Sequence, residues 1–145
     1  MKVKVKKLHP NAKLPLYGSS FAAGADLYAC TDGDVCVAPN ETVFIRTGIA
    51  VELCEGTVGL VYARSGIACK KDLAPANKVG VIDCDYRGEI MVAMHNHGKE
   101  MRTISDGERI AQLVIAPYYT AQFEEAEVLC DTVRGEGGFG STGSK

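Results

Sequence analysis

Apolar residues in this chain recur in short, strand-like runs, not in helical stripes. Residues 2–8 alternate charged and apolar side chains, the period of a strand with one face in water. Residues 42–51 are rich in Val, Ile, Thr and Phe, and residues 57–62, 79–82, 89–95, 109–116 and 122–129 are further short runs of strand formers. Turn chemistry separates them, at Thr31-Asp-Gly-Asp34, Ala38-Pro-Asn40, Glu55-Gly56, Asn96-His-Gly-Lys99 and Ser105-Asp-Gly107. Strands of this length and spacing predict an all-β sandwich or barrel. Space for a helix exists only near residues 67–71, and it is short. Neither an internal repeat nor an interdomain linker interrupts the pattern.

Two runs have no polar face. Both parities are apolar in residues 90–94, and both are again in 110–115. A two-layer sandwich leaves one face of each sheet in water, so this pattern predicts a second covering surface. Another copy of the chain would supply it, and so would a closed barrel interior.

Length and composition narrow this picture. At 145 residues, 46% hydrophobic and 23% charged, the chain reads as one globular domain with a sizeable core. A net charge of −2 argues against wholesale binding to nucleic acid or to an anionic membrane. It leaves room for a small anion held by a few placed arginines. The first eight residues carry no apolar leader segment, and no run of 18 apolar residues occurs, which predicts a cytoplasmic protein. Cysteines stand at 30, 36, 54, 69, 84 and 130 without a Cys-x-x-Cys pair. They read as reduced small hydrophobes; a disulfide framework and a zinc site are the alternatives.

Candidate chemistry lies where polar residues interrupt apolar runs. Asp26 sits in Phe21-Ala-Ala-Gly-Ala-Asp-Leu-Tyr-Ala29, where a carboxylate needs pairing, hydrogen bonds or a ligand. A turn aspartate accepting backbone N–H bonds meets the same need. Gln112 lies mid-strand and requires partners for both ends of its amide. Arg64-Ser65-Gly66 follows a strand and offers a guanidinium, a hydroxyl and a permissive backbone suited to phosphate. An ordinary surface turn has the same composition. Residues 79–90 read as a β-hairpin with Asp83 and Asp85 at its tip, on one face if extended, and Tyr86 beside them. Nearby carboxylates can divide water activation and metal hydration between them; they are also common hairpin-turn residues. His95 and His97 lack third and fourth metal ligands and read as structural. The last twelve residues, 134–145, hold five glycines with Arg134, Phe139, Ser141 and Thr142. They cannot order themselves by burying apolar surface. Their side chains suit closure over a nucleoside phosphate, and a solvated polar tail is the plainer reading.

In series, these segments resemble the five ordered motifs of the trimeric deoxyuridine triphosphatases. Ala22–Ala29 is similar to the first motif, Ala63-Arg-Ser-Gly-Ile-Ala68 to the second, and Gly80-Val-Ile-Asp-Cys-Asp-Tyr-Arg-Gly88 to the third. Asp106-Gly-Glu-Arg-Ile-Ala-Gln-Leu113 is similar to the fourth and residues 134–143 to the fifth. Ala63 stands where many members carry proline, and Cys84 where serine or another small residue is common.

The resemblance implies a distorted jelly-roll β fold over residues 1–133, a homotrimer with shared active sites, and a closing arm at 134–145. It implies hydrolysis of dUTP to dUMP and pyrophosphate, which limits uracil in DNA and supplies dUMP for thymidylate synthesis. Asp83 would activate the attacking water, and Asp26 would hold Mg²⁺ through a water. Arg64, Ser65, Gly66 and Gln112 would line the phosphates, joined by Arg134, Gly140, Ser141 and Thr142 from the arm. Asn77 with the backbone of Val81, Ile82 and Asp83 would read uracil; Tyr86 would pack on deoxyribose, Met91 would add a backbone contact, and Phe139 would stack on the base. A dCTP deaminase of the same fold and a non-catalytic module that binds a protein partner are the competing readings.

Overall fold

The computed structural model describes residues 1–138. In chain order its strands are β1 (Lys4–Lys7), β2 (Leu16–Tyr17), β3 (Ala25–Tyr28), β4 (Val35–Val37), β5 (Thr42–Arg46), β6 (Ile49–Glu52) and β7 (Thr57–Ala63). A single helix, α1 (Ser65–Lys71), precedes β8 (Leu73–Pro75), β9 (Val79–Ile82), β10 (Met91–Asn96), β11 (Arg102–Ile104) and β12 (Arg109–Pro117). Every ladder among the described residues is antiparallel. The main sheet runs β2-β3-β12-β7-β9; a second runs β5-β10-β8, and β1-β6 and β11-β4 form two-stranded pieces. This is the distorted jelly roll expected.

The sheets share one core. Leu27, Ile45, Leu73, Met94, Ile104 and Ile110 come from six different strands, and each is essentially inaccessible to water. Truncating such a side chain to Ala costs about 2–5 kcal/mol. Buried Asn96 is fully satisfied: its amide donates to the carbonyls of Val37 and Glu100 and accepts from Gly98 N–H. That amide ties β4 to the end of β10.

Helix α1 starts two residues earlier than the pattern suggests. It ends where Asp72 turns left-handed at φ 56° and donates its N–H to the Ile67 carbonyl. Lys70 and Lys71 occupy the last turn, where the exposed carbonyl ends favour cations.

Four expectations change. Residues 42–51 form two strands, because the chain breaks at Thr47 and Gly48. Gly48 adopts φ +67°, and a Cβ there would fall 2.8 Å from both Ala12 and Cys30. Residues 79–90 are not a ladder-paired hairpin: β9 pairs with β7, whereas β10 pairs with β5 and β8. Their connection crosses between sheets, and Asp83 and Asp85 lie in a turn closed by Tyr86 N–H on the Asp83 carbonyl, not on one face of a strand. Residues 122–129 form no strand; Phe123, Val128 and Leu129 are 95%, 84% and 82% exposed. A strand needs a neighbour for its backbone, and this chain supplies none there. Finally, part of the two-sided apolarity is covered within the chain. Ile110, Ala111 and Leu113 are buried, whereas Met91 on β10 remains half exposed beside Phe44.

Candidate functional site

Two clusters of the candidate residues form, at opposite ends of one ladder. The first lines a cavity of about 290 Å³ where β9 passes the second sheet. Asn77, Val81, Ile82, Asp83, Tyr86 and Met91 all border it. β9 is the outer strand of its sheet, so one side of its backbone carries unpaired N–H and C=O groups. These are the donors and acceptors that can read a flat heterocycle. Gly80 allows the close approach: a Cβ there would come within 3.2 Å of Val61 and 3.4 Å of the Asn77 amide.

Asp83 follows β9 directly and is exposed at the cavity. It makes no salt bridge among the described residues. The turn carrying it is stapled by Arg87, which donates to the carbonyls of Cys84 at 2.6 Å and Tyr86 at 3.0 Å. The Tyr118 hydroxyl approaches the Cys84 sulfur at 3.8 Å. Its pKa is raised, mainly by the hydrogen bond to that thiol and by the thiol's charge, with a lesser push from Asp83.

The second cluster lies where β3, β12 and β7 meet. Asp26 is 8% exposed and stands opposite Gln112, which stands opposite Tyr62. Its two oxygens are divided between two guanidiniums: Arg64 Nε donates to Oδ1 at 2.6 Å, and Arg109 donates to Oδ2 at 3.2 Å. Asp26 is therefore held in an ion-pair network, not by a turn of backbone N–H bonds. One carboxylate against two guanidiniums leaves a net charge of +1 here. Arg109 was not among the candidates; its only signal in the sequence is its place at the polar start of an apolar strand. Gln112 donates to the Ala63 carbonyl at 2.8 Å, and its second N–H has no acceptor among the described residues. Its oxygen lies against Gly24, where a Cβ would come within 2.6 Å. Ser65 and Gly66 open helix α1, where backbone N–H groups have no intrahelical partner. An open hollow of about 270 Å³ beside them is lined by Arg64, Lys70, Lys71 and Arg109 against the lone acid Glu108.

The ladder sets the separation of the two clusters. Ile82 pairs with Gly59, and Arg64 lies five residues further along, on the side away from Asp83. At about 3.3 Å per residue, Arg64 and the Asp83 end of β9 stand about 17 Å apart, with Asn77 and Gly80 of the first cluster between them along the ladder. Arg134 joins neither: it is exposed and its Nε donates locally to the Gly137 carbonyl at 2.7 Å. Phe139, Gly140, Ser141 and Thr142 lie outside the described residues.

The remaining candidates show no shared chemistry. His95 and His97 meet edge to face at 4.5 Å, and His95 hydrogen-bonds Thr42 at 2.8 Å. Desolvation, with the neighbouring charges of His95 and Lys78, lowers the His97 pKa. No cluster of three His, Cys, Asp or Glu side chains placed to hold a metal occurs among the described residues. All six cysteines are free thiols.

The chain matches the dUTPase family model over residues 10–143. A deoxyuridine 5′-triphosphate nucleotidohydrolase of Syntrophotalea carbinolica is 50% identical over 141 residues, covering 97% of this chain and 96% of its own. The protein of that name from Hydrogenobaculum sp. is 48% identical over the full length of both. Among solved structures, a point mutant of the Staphylococcus bacteriophage 80alpha dUTPase with dUpNHpp superposes with a TM-score of 0.89 at 30% identity, over 98% of each chain. A mutant dUTPase of S. aureus phage phi11, whose structure describes a structural Mg(II) ion, gives 0.79 at 27% identity, over 88% of this chain and 98% of its own.

Proposed function

The chain belongs to the dUTPase family and hydrolyses dUTP, and we propose that it does so by driving a water held by Asp83 onto the α-phosphorus, in sites completed by neighbouring copies. The observation that carries this reading is the separation of the two clusters. Asp83 and Arg64 stand at opposite ends of the β7–β9 ladder, about 17 Å apart on one chain, too far for the base and the guanidinium to meet the same α-phosphate. Each end carries half of a site. A homotrimer that sets one copy's first cluster against the next copy's second makes the whole.

Within that site, Asp83 accepts a proton from the water as its oxygen bonds to the α-phosphorus. The bond from that phosphorus to the β-phosphate bridging oxygen breaks, and pyrophosphate leaves with the electron pair. A positioned base contributes about 10²–10⁴-fold. The larger demand is electrostatic, since negative charge gathers on the leaving group. Arg64, the second N–H of Gln112 and the backbone at Ser65 and Gly66 face it. Asp26 holds the guanidinium of Arg64 in register and offsets its repulsion from Arg109.

The residues fit Mg²⁺ brought in by the phosphates, not a metal caged by protein. Asp26 is the one carboxylate paired to Arg64 among the described residues, and each of its oxygens keeps a lone pair for an ion-bound water. Bound there, the ion would neutralise phosphate charge. Asn77 and the free edge of β9 pair with the uracil edge, and Tyr86 lies along the deoxyribose. Met91 borders the same cavity. Arg134, Gly140, Ser141 and Thr142 approach the phosphates, and Phe139 the base, when residues 134–145 close. Free thiols suit a reducing compartment, and the cytoplasm is the location proposed.

Hydrolysis in ¹⁸O-labelled water tests the chemistry. With dUTP and Mg²⁺, the label should appear in dUMP. Label in pyrophosphate would place the attack on the β-phosphorus and overturn the assignment of Asp83.

A further inference from the structure

Glu89 sits in the connection from β9 to β10 and borders the same cavity as Tyr86. Its side chain is only 15% exposed. It reaches across to the corner between β5 and β6, where it accepts Gly48 N–H at 2.8 Å and Arg46 Nε–H at 3.0 Å. The next residue is fixed to the same corner. Ile90 N–H donates to the Ile49 carbonyl at 2.9 Å, and the Thr47 hydroxyl donates to the Ile90 carbonyl at 2.5 Å. Glu89 also touches Tyr86 through its backbone: its carbonyl accepts the tyrosine hydroxyl at 3.0 Å. The ring is confined on another side by Gly88, where a Cβ would collide with the Tyr86 hydroxyl and ring.

The contacts form one chain: corner, carboxylate, carbonyl, phenol. We propose that Glu89 is a positioning residue for sugar selection, pinning its own carbonyl to the β5–β6 corner so that the Tyr86 ring excludes a 2′-hydroxyl. This rests on the reading of Tyr86 as the residue that lies along the deoxyribose. The physical demand is placement. A ring that rejects one oxygen atom must be held more tightly than the size of that atom, and a misplacement of about 1 Å is costly. A phenol free to swing would accommodate the hydroxyl. The Ile90 N–H, which shares a peptide plane with the Glu89 carbonyl, holds one edge of that plane to the Ile49 carbonyl; the carboxylate supplies the second fixed point, on the Gly88–Glu89 side, and is the only side-chain anchor of that side to the corner among the described residues.

The test compares hydrolysis of dUTP and UTP by the full-length protein. Glu89→Gln replaces an acceptor facing Arg46 with an amide. It should narrow the dUTP-to-UTP ratio of kcat/KM by about five- to tenfold, the worth of one well-placed hydrogen bond. Tyr86→Phe should narrow it similarly, and the double variant should add less than about twofold, because the two act in series. Loss of packing alone would lower both substrates together and leave the ratio in place. A wild-type ratio in Glu89→Gln overturns the inference, and so do effects that multiply in the double variant. Tyr86→Ala separates the two levels. If it leaves the ratio unchanged, the sugar-facing reading of Tyr86 fails; if it collapses the ratio while Glu89→Gln does not, only the role of Glu89 fails. Should Glu89→Gln not fold, Arg46→Gln loosens the same carboxylate from its other side, with the same shift expected and the same null result fatal.

Discussion

Asp83 and Asp26 are both aspartates beside apolar strands, and their surroundings set them to different work. Asp83 is exposed at a cavity and pairs with no cation among the described residues, so its carboxylate is available to a water. Asp26 is buried and committed to two guanidiniums. Asp83→Asn should therefore keep nucleotide affinity and lose about 10²–10⁴-fold in kcat. Titration with a non-cleavable dUTP analogue, beside a pyrophosphate-release assay, checks both halves; turnover near wild type would remove Asp83 from the role of base. What the sequence disclosed at this scale was the anomaly of each residue, not its partner. A carboxylate at 26 in an apolar run signals a buried partner, yet nothing in the spacing from 26 to 109 names Arg109. Glu89 escaped notice for a related reason. An acid at the polar start of the 89–95 run shows no anomaly until the fold brings Gly48 and Arg46 against it.

Elements were legible where period and turn chemistry agreed. β7, β9 and β12 fall where runs of strand formers place them, because each has a polar or glycine boundary and a neighbour in this chain. β4, β8 and β11 leave no signal in the sequence, because three residues are too few to show a period. The break at Gly48 was hidden because β-branched residues continue on both sides, and only the steric fit against Ala12 and Cys30 demands glycine there. Gly24, just before β3, makes a comparable demand at the site. Its missing Cβ is the space filled by Gln112, so Gly24→Ala should push the amide off the Ala63 carbonyl. Steady-state kinetics should show kcat/KM falling by about ten- to hundredfold, as for Gln112→Ala, because a bond to a charged phosphate is worth about 1.5–3 kcal/mol. Loss of thermal stability without a kinetic defect would mean that Gln112 does not face substrate.

The end of β10 carries a separate, pH-linked consequence. Desolvation, His95 and Lys78 hold the His97 pKa below its ordinary 6.5 in the folded chain. Between that lowered value and 6.5 the unfolded chain binds more protons, so stability rises with pH through the window. The contribution is complete above 6.5 and is lost as acid is added below it. Melting temperatures of wild type and His97→Gln, measured from pH 7.5 downward, should converge or cross as the pH falls below about 6.5. Parallel curves would assign the acid sensitivity elsewhere.

At the scale of the whole molecule, one chain holds two clusters of candidate residues and a strand-like segment that pairs with nothing among the described residues. Residues 122–129 have the composition of a strand and no ladder, and Met91 and Phe44 leave apolar surface beside the cavity. Such features are stable when copies assemble, since each supplies the neighbour another lacks. The division of labour has a sharp genetic consequence. Asp83→Asn spoils the first cluster and Arg64→Ala the second, so each variant alone should be nearly inactive. Co-refolded into mixed trimers, they should regain activity, because some sites then combine an intact Asp83 from one copy with an intact Arg64 from the next. If both residues of a working site came from one chain, every copy in the mixture would carry a broken site and nothing would return. Pyrophosphate release measured against mixing ratio, with the maximum near equal proportions, distinguishes the two arrangements. A flat baseline across all ratios, in assemblies shown by mass to be mixed, would put the complete site within one chain and require Asp83 and Arg64 to serve one substrate across the distance of about 17 Å that separates them along the β7–β9 ladder.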